Sequence, residues 1–173
     1  GAGSGIGQAT VLRFLSEGAT VIAADIMPEG LATTRKMAEH AGYDERLTTR
    51  EVDISSESSV RQQVAEAIEQ AGRLDVLVNA AGILRSSHTH LTSLEFWNRM
   101  LAVNLTGTFL VTREALPALL KTGNGVVVNF SSTSASFAHP YMAAYAATKG
   151  GIQSFTHSIA SEYARQGLRA VAV

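Results

Sequence analysis

Tyr145 and Lys149 stand four residues apart in the run Tyr-Ala-Ala-Thr-Lys, a spacing that could support proton transfer. On a helix, residues four apart lie on one face, so the lysine ammonium would sit beside the tyrosine phenol. A positive neighbour favours the ionised form of a phenol, which could then act as general acid or base toward a substrate oxygen. In isolation such a pair is more often two residues that share a solvated helix face. The rest of the sequence therefore has to distinguish a proton-transfer pair from two residues on a solvated helix face.

The composition is that of one ordinary globular domain. The chain has 173 residues, of which 46% are apolar and 17% are charged. A formal net charge of -1 with mixed signs argues against a nucleic-acid surface. The absence of cysteine excludes disulfides and thiolate chemistry, and no apolar run approaches the length of a transmembrane helix. We therefore expect a soluble, cytoplasmic protein with no nucleic-acid or membrane partner.

Apolar runs typical of strands alternate with helical patterns along the chain. Strands are predicted at residues 19–25, 47–53, 74–80, 126–131 and 168–173, and helices at 6–17, 30–40, 56–71, 93–121 and 145–166. Most of the strand runs are valine-rich and apolar on both sides, which is typical of parallel strands covered on both faces. A glycine suited to a left-handed helix end follows each helix, at Gly18, Gly42, Gly72, Gly123 and Gly167. The series predicts one dinucleotide-binding domain over residues 1–173, a Rossmann-type doubly wound parallel sheet in three α/β/α layers.

The two ends of the sequence are unusual for such a domain. The chain begins inside a glycine-rich turn that should follow a strand, and it closes on an apolar strand. In the strand order 3-2-1-4-5-6 the first strand is central, so its absence would leave backbone groups of its neighbours unpaired. We therefore expect a fragment that lacks the first strand and the C-terminal part of a longer chain, and that is neither well folded nor active alone.

A glycine-rich segment opens the first predicted helix. It fits the pattern G-x-x-x-G-x-G with Gly1, Gly5 and Gly7, and backbone NH groups at such a helix start favour a phosphate. Asp25 ends the next strand, about where a Rossmann unit places the acid that binds the adenosine ribose. No Arg or Lys that would suit a 2′-phosphate accompanies it, which favours NAD over NADP. The alternatives are a flexible turn and an aspartate that only caps the next helix.

Other candidates lie near the ends of the later strands. The segment Asn79-Ala80-Ala81-Gly82 follows a strand at the sheet edge where open α/β sheets bind ligands, although it could be an ordinary tight turn. Asp53 could hold the adenine amino group or cap a helix. Asn104 is a mediocre helix former inside a long helical pattern, so its side chain has either a local backbone bond or a special role.

Two further pairs of side chains are candidates, one for a substrate contact and one for a metal site. The residues alone do not decide whether Ser131 or Ser132 faces the substrate, because neighbours on a strand point to opposite faces. His88 and His90 lack the accompanying ligands of a metal site, so we expect loop residues at a pocket mouth and no metal.

These motifs together resemble those of the short-chain dehydrogenase/reductase family. They are Gly1-x-x-x-Gly5-x-Gly7, Asn79-Ala80-Ala81-Gly82, Asn104 in Val-Asn-Leu-Thr-Gly, Ser131-Ser132 and Tyr145-x-x-x-Lys149, in the family's order over the whole chain. The resemblance implies that Tyr145 exchanges the proton with the substrate, and that Lys149 binds the nicotinamide ribose and favours the ionised phenol. It also implies that Ser132 donates to the substrate oxygen and that Asn104 holds a water that relays protons to Lys149. The implied cofactor contacts are Gly1, Ser4, Gly5, Ile6, Gly7, Asp25, Asp53, Ile54, Asn79, Ala80, Ala81, Gly82, Val103, Tyr145 and Lys149.

The expected activity is the interconversion of a secondary alcohol and a ketone by hydride transfer with NAD, or less favourably NADP. One alternative is a reductase of 3-oxoacyl thioesters on acyl carrier protein that uses NADPH. Another is a dinucleotide-binding scaffold or sensor without turnover, although that class would be expected to have lost the catalytic residues. The substrate would contact a mixed apolar segment at residues 137–142, and the resemblance implies a homodimer or homotetramer built on helices 93–121 and 145–166.

Overall fold

The computed structural model describes all residues from 1 to 173, which divide into the units Gly1–Asp53 and Ile54–Val173. Each unit consists of a parallel sheet with helices packed against it. The prediction of one dinucleotide-binding domain stays a prediction. No helix combines the length and the apolar character that crossing a membrane requires.

The first unit has two helices and two strands. Its elements are α1 (Gly5–Ser16), β1 (Val21–Asp25), α2 (Pro28–His40), a short 3-10 turn (Asp44–Arg46) and β2 (Leu47–Glu51). The strands run parallel, with Val21 opposite Leu47 and Asp25 opposite Glu51. Apolar residues of both helices and both strands form one core, among them Leu15, Ala23, Leu31 and Leu47. This core fixes the start of α1 and the end of β1, where the glycine-rich turn and Asp25 lie.

The second unit holds three strands in the order β3-β4-β5, all parallel. Its elements are α3 (Glu57–Ala71), β3 (Val76–Asn79), a 3-10 turn (Thr89–Leu91), α4 (Leu94–Met100), α5 (Gly107–Lys121), β4 (Val126–Asn129), a 3-10 turn (Thr133–Ala135), α6 (Ala143–Tyr163), a 3-10 turn (Ala164–Gln166) and β5 (Arg169–Ala172). Leu119 of α5, Val127 of β4 and Ile159 of α6 share one core. The core therefore ties α5 and α6 to the central strand of this sheet.

The strand neighbours agree with the predicted doubly wound order. If β1 and β2 are counted as strands 2 and 3, and β3 to β5 as strands 4 to 6, the order 3-2-1-4-5-6 requires the pairs 2-3, 4-5 and 5-6. These are the pairs that the structure contains. The glycines predicted to end the helices, Gly18, Gly42, Gly72, Gly123 and Gly167, all have φ between 67° and 91°.

The long helix predicted over residues 93–121 is not a single α-helix. Residues Leu101–Thr106 form a π-helical segment between α4 and α5. Asn104 lies within it, and its backbone carbonyl accepts a hydrogen bond from the Thr108 hydroxyl at 2.7 Å. A π segment widens the helix locally and is frequent at functional sites. The predicted strands also run one or two residues past the observed ends, so Ser131 lies beyond β4.

Candidate active site

Tyr145 and Lys149 lie on one face of α6, as their spacing predicts. The lysine Nζ is 5.6 Å from the centre of the tyrosine ring. The helix begins at Ala143, so the tyrosine belongs to its first turn. The structure therefore places the two side chains next to each other on a rigid element, and their part in proton transfer stays a prediction.

The Lys149 side chain is buried, with 6% of its surface exposed. Its Nζ donates a hydrogen bond of 2.6 Å to the backbone carbonyl of Phe130, the residue after β4. Burial lowers the pKa of Lys149, because desolvation disfavours the charged form. The ammonium is thus held in a partly dry site, where its attraction for a developing negative charge is stronger than in water.

The two serines after Phe130 make different hydrogen bonds, which bear on the choice that the residues alone left open. The Ser131 hydroxyl donates to the backbone carbonyl of Lys149 at 3.0 Å. The Ser132 oxygen accepts from the backbone N–H of Ser134 at 3.1 Å. Because Ser132 accepts in this bond, its own O–H remains available as a donor. These contacts favour Ser132 as the residue that donates to a substrate oxygen.

Asn104 is fully buried and joins the loop after β3 to α6. Its Oδ1 accepts from the N–H of Ile83 at 2.8 Å, and its Nδ2 donates to the Ile83 carbonyl at 2.9 Å. The Nδ2 also donates to the Thr148 hydroxyl at 3.2 Å, and this hydroxyl donates to the carbonyl of Tyr145 at 2.7 Å. The side chain is therefore engaged in positioning the loop, and the predicted water relay to Lys149 stays a prediction.

Gly82 lies against both Asn104 and Lys149. A Cβ atom added at Gly82 would stand 3.3 Å from Asn104 Oδ1 and 3.9 Å from Lys149 Nζ. A side chain here would occupy the space directly beside the ammonium. The absence of a side chain thus leaves the backbone at Gly82 exposed beside the ammonium, and its cofactor contact stays a prediction.

The remaining predicted cofactor residues of this unit have structural contacts of their own. Asn79 donates from Nδ2 to the Thr112 hydroxyl and to Asn129 Oδ1, so its amide ties β3 to α5 and β4. Ile54 packs under Gly107, where an added Cβ would be 2.7 Å from its Cδ1. Val103 is buried in the π segment, and Ala80 and Ala81 are partly buried after β3. Their cofactor contacts stay predictions.

Two contributors to the site were missed from the sequence. Thr148 links Asn104 to the first turn of α6, and the signal for it is a β-branched residue inside a helix, next to the lysine. The Phe130 carbonyl holds the Lys149 ammonium, but a backbone acceptor leaves no signal in the residue types.

The glycine-rich turn of the first unit is tightly closed. A Cβ at Gly7 would come within 1.8 Å of the Gly1 carbonyl oxygen, so only glycine fits there. Ser4 precedes α1 without a capping hydrogen bond from its side chain, and the first turn of α1 contains no acidic residue. Ser4, Gly5 and Ile6 are exposed. The start of this twelve-residue helix therefore presents open N–H groups of the kind that bind a phosphate.

Asp25 ends β1 and supports the glycine-rich turn. Its Oδ2 accepts from the N–H of Gly3 at 2.9 Å, and its Oδ1 accepts from the N–H of Met27 at 2.9 Å. Burial alone would raise the pKa of Asp25, but the hydrogen bonds from Gly3 and Met27, together with the nearby Gly1 ammonium, hold the pKa below its usual value. The bond to Met27 is the local turn contact of the capping alternative. The carboxylate stays ionised and has lone pairs left for a further donor. Asp53 is partly buried two residues after β2.

Curated relatives match this chain over its whole length. It is 40% identical to 2-(R)-hydroxypropyl-CoM dehydrogenase of Xanthobacter autotrophicus, and 39% identical to the 3-oxoacyl-[acyl-carrier-protein] reductase FabG of Thermotoga maritima. Each alignment covers 100% of this chain and 70% of the relative. The chain thus spans about two thirds of the length of such proteins.

Solved structures show the same fold. Carveol dehydrogenase from Mycobacterium avium in complex with NAD superposes with a TM-score of 0.93 at 30% identity, over 99% of this chain and 66% of that one. A metagenomic short-chain oxidoreductase in complex with NADP also gives a TM-score of 0.93, at 28% identity over 99% of this chain and 76% of that one. A family profile described as short chain dehydrogenase matches residues 1–173. The chain, with its Rossmann-like α/β fold, belongs to the short-chain dehydrogenase family.

Proposed function

We propose that this chain is the cofactor-binding and catalytic part of an oxidoreductase that interconverts a secondary alcohol and a ketone. The observation that carries the proposal is the buried Lys149 ammonium, 5.6 Å from the Tyr145 ring centre and hydrogen-bonded to the carbonyl of Phe130, two residues before Ser132. Members of this family act on CH–OH groups with NAD or NADP. Such a reaction requires from the protein a proton donor, a nearby cation and a hydroxyl donor.

Each of these groups has its own role at the substrate oxygen. In the oxidative direction the Tyr145 oxygen takes the proton of the alcohol, and in the reductive direction it returns the proton to the ketone oxygen. Ser132 donates a hydrogen bond to the same oxygen as negative charge develops on it. The Lys149 ammonium stabilises the phenolate form of Tyr145 between these steps. Asn104 keeps the loop after β3 in place against α6.

Each unit, taken by itself, has residues suited to one part of a nicotinamide dinucleotide. The open N–H groups at the start of α1 would hold its pyrophosphate, and Asp25 would accept from the adenosine ribose. The exposed backbone at Gly82, together with Lys149, would contact the nicotinamide ribose. When bound, the dinucleotide supplies the hydride acceptor or donor.

The proposed cofactor is NAD rather than NADP. The Asp25 carboxylate would repel the 2′-phosphate of NADP, and no lysine or arginine lies among the residues directly after it, Ile26, Met27 and Pro28. The low pKa of Asp25 keeps this negative charge at neutral pH. Competitive titration of the intact protein with the two cofactors checks the preference, and Asp25→Ala should narrow it. A clear preference of the unmutated protein for NADP would refute the role of Asp25.

A second candidate function is the reduction of 3-oxoacyl thioesters, which the similarity to the Thermotoga maritima reductase favours. The two functions share the proton-transfer residues and differ in the substrate. Assays of the intact protein with NAD and NADP, against a panel of simple secondary alcohols and against an acetoacetyl thioester, distinguish them. Alcohol-dependent reduction of NAD supports the first function. Turnover of the thioester alone, with NADPH, would favour the second function over the first. No turnover with either the alcohols or the thioester would favour a non-catalytic dinucleotide-binding protein.

We also propose a homodimer or homotetramer. Phe109 on α5 is 41% exposed and meets Phe155 of α6 edge to face at 6.2 Å between ring centres. Leu101 and Leu105 are partly buried, whereas Leu110, Ile152 and Ile159 belong to the interior of the chain. Light scattering on the intact protein tests this, and a monomer at micromolar concentration would remove the proposal.

A further inference from the structure

Ser131 has no part in the proton transfer proposed above. Its side chain nevertheless hydrogen-bonds to the main chain of Lys149, which does have a part in it. Its hydroxyl donates to the backbone carbonyl of Lys149 at 3.0 Å. The preceding residue, Phe130, accepts a hydrogen bond of 2.6 Å from the ammonium of the same lysine. Two consecutive residues therefore hold both the main chain and the charged end of Lys149.

The hydrogen bond from Ser131 is not needed to form α6. Lys149 lies in the interior of this helix, where each carbonyl already accepts from the amide four residues further on. Loss of the hydroxyl would therefore leave no buried carbonyl without a partner. What the bond does fix is the distance between the end of β4 and one turn of the helix.

The main chain of Ser131 is itself tied to the sheet. Its N–H donates to the carbonyl of Val173 at 2.8 Å, and the N–H of Val173 donates to the carbonyl of Asn129 at 2.9 Å. The hydroxyl thus connects a fixed strand end to the helix that carries Tyr145 and Lys149. Ser132 follows directly, so the same connection sets the lysine in register with the hydroxyl donor.

We propose that Ser131 is a positioning residue that holds the Lys149 ammonium beside Tyr145. The proposal rests on the proposed function. The attraction between an ammonium and a phenolate falls with their separation, and it is strongest where water is excluded. Without the Ser131 hydroxyl this turn of α6 loses its main-chain hydrogen bond to the residues after β4, so its position is fixed less tightly, although Phe130 still accepts from Nζ. The ammonium then stabilises the phenolate less, and the phenol ionises at higher pH.

The test is an ultraviolet titration of phenolate formation in the intact protein, which needs no substrate. The chain has four tyrosines, and the difference between the parent protein and Tyr145→Phe isolates the titration of Tyr145. In Ser131→Ala its half-ionisation point should rise by about half to one pH unit, which leaves about three- to tenfold less phenolate at neutral pH. Turnover at neutral pH should fall by a similar factor and recover at high pH.

An isosteric pair separates the hydroxyl from side-chain volume. Ser131→Thr keeps the hydroxyl and should titrate like the parent, whereas Ser131→Val has the same shape without it and should titrate like Ser131→Ala. Ser16→Ala is a matched control, since it removes a hydroxyl that donates to the helix carbonyl of Arg13 at 2.8 Å on α1. It should leave the titration unchanged.

The outcomes distinguish this inference from the proposed function. Equal titration curves for Ser131→Thr and Ser131→Val would overturn the positioning role. Near-parent turnover in Tyr145→Phe would instead overturn the proposed proton transfer.

Discussion

Replacement of Asn104 by alanine should destabilise the protein more than a single amide usually does. The side chain is fully buried and makes three hydrogen bonds, two with the main chain of Ile83 and one with Thr148. A buried partner that loses its hydrogen bond costs about 1 to 3 kcal/mol, and the partly buried Ile83 groups lie at the low end of this range. Alanine has a higher helix propensity than asparagine, which offsets roughly 0.5 kcal/mol of this loss. The free energy of unfolding should therefore fall by about 2 to 4 kcal/mol.

Urea denaturation of the intact protein, followed by circular dichroism, measures this change. Asn98→Ala is the matched control, because it removes the same amide from an exposed position on α4 and should change the free energy of unfolding by less than about 0.5 kcal/mol. Binding of NAD should also weaken in Asn104→Ala, since the loop that contains Gly82 loses its attachment to α6. If the two variants unfolded at the same urea concentration, the hydrogen-bond network around Asn104 would not hold the loop.

Three further substitutions test the second unit. Ser134→Ala should raise the free energy of unfolding by about 1 kcal/mol in thermal or urea denaturation, because it removes a buried hydroxyl oxygen without a hydrogen-bond partner; a loss of stability would show that the hydroxyl is in use. Lys149→Met should abolish turnover, because it removes the ammonium beside Tyr145. The pKa of Lys149 is lowered in the folded protein, so between that pKa and about 10.4 the unfolded state binds more protons than the folded state. The free energy of unfolding of the parent should therefore rise as the pH rises through this window, and that of Lys149→Met should not. Gly82→Ala should weaken NAD binding in calorimetry while the thermal midpoint changes little, and unchanged binding would exclude Gly82 from the cofactor site.

The sequence predicted the elements and their order because its signals are local. Valine-rich runs, helical periodicity and the glycines at helix ends each depend on a few neighbouring residues, and all five strands and the five glycine positions are confirmed. The Tyr145 and Lys149 pair was predictable for the same reason, since a spacing of four on one helix fixes a common face.

The features that the sequence did not predict depend on contacts between distant parts of the chain. The π segment around Asn104 is associated with hydrogen bonds to Ile83 and to Thr148, neither of which periodicity reveals. The choice between Ser131 and Ser132 depends on where β4 ends, and strand ends are poorly defined by residue type. The carbonyl of Phe130 that holds the ammonium belongs to the backbone, which every residue shares.

The most direct test of the proposed function is the turnover of Tyr145→Phe. This substitution removes the phenolic oxygen and keeps the ring, so the packing of the first turn of α6 is preserved. Steady-state reduction of NAD by the alcohol that the intact protein oxidises best should fall by at least about 100-fold, and calorimetric binding of NAD should remain close to that of the parent. Turnover within a few-fold of the parent would show that Tyr145 is not the acid or base.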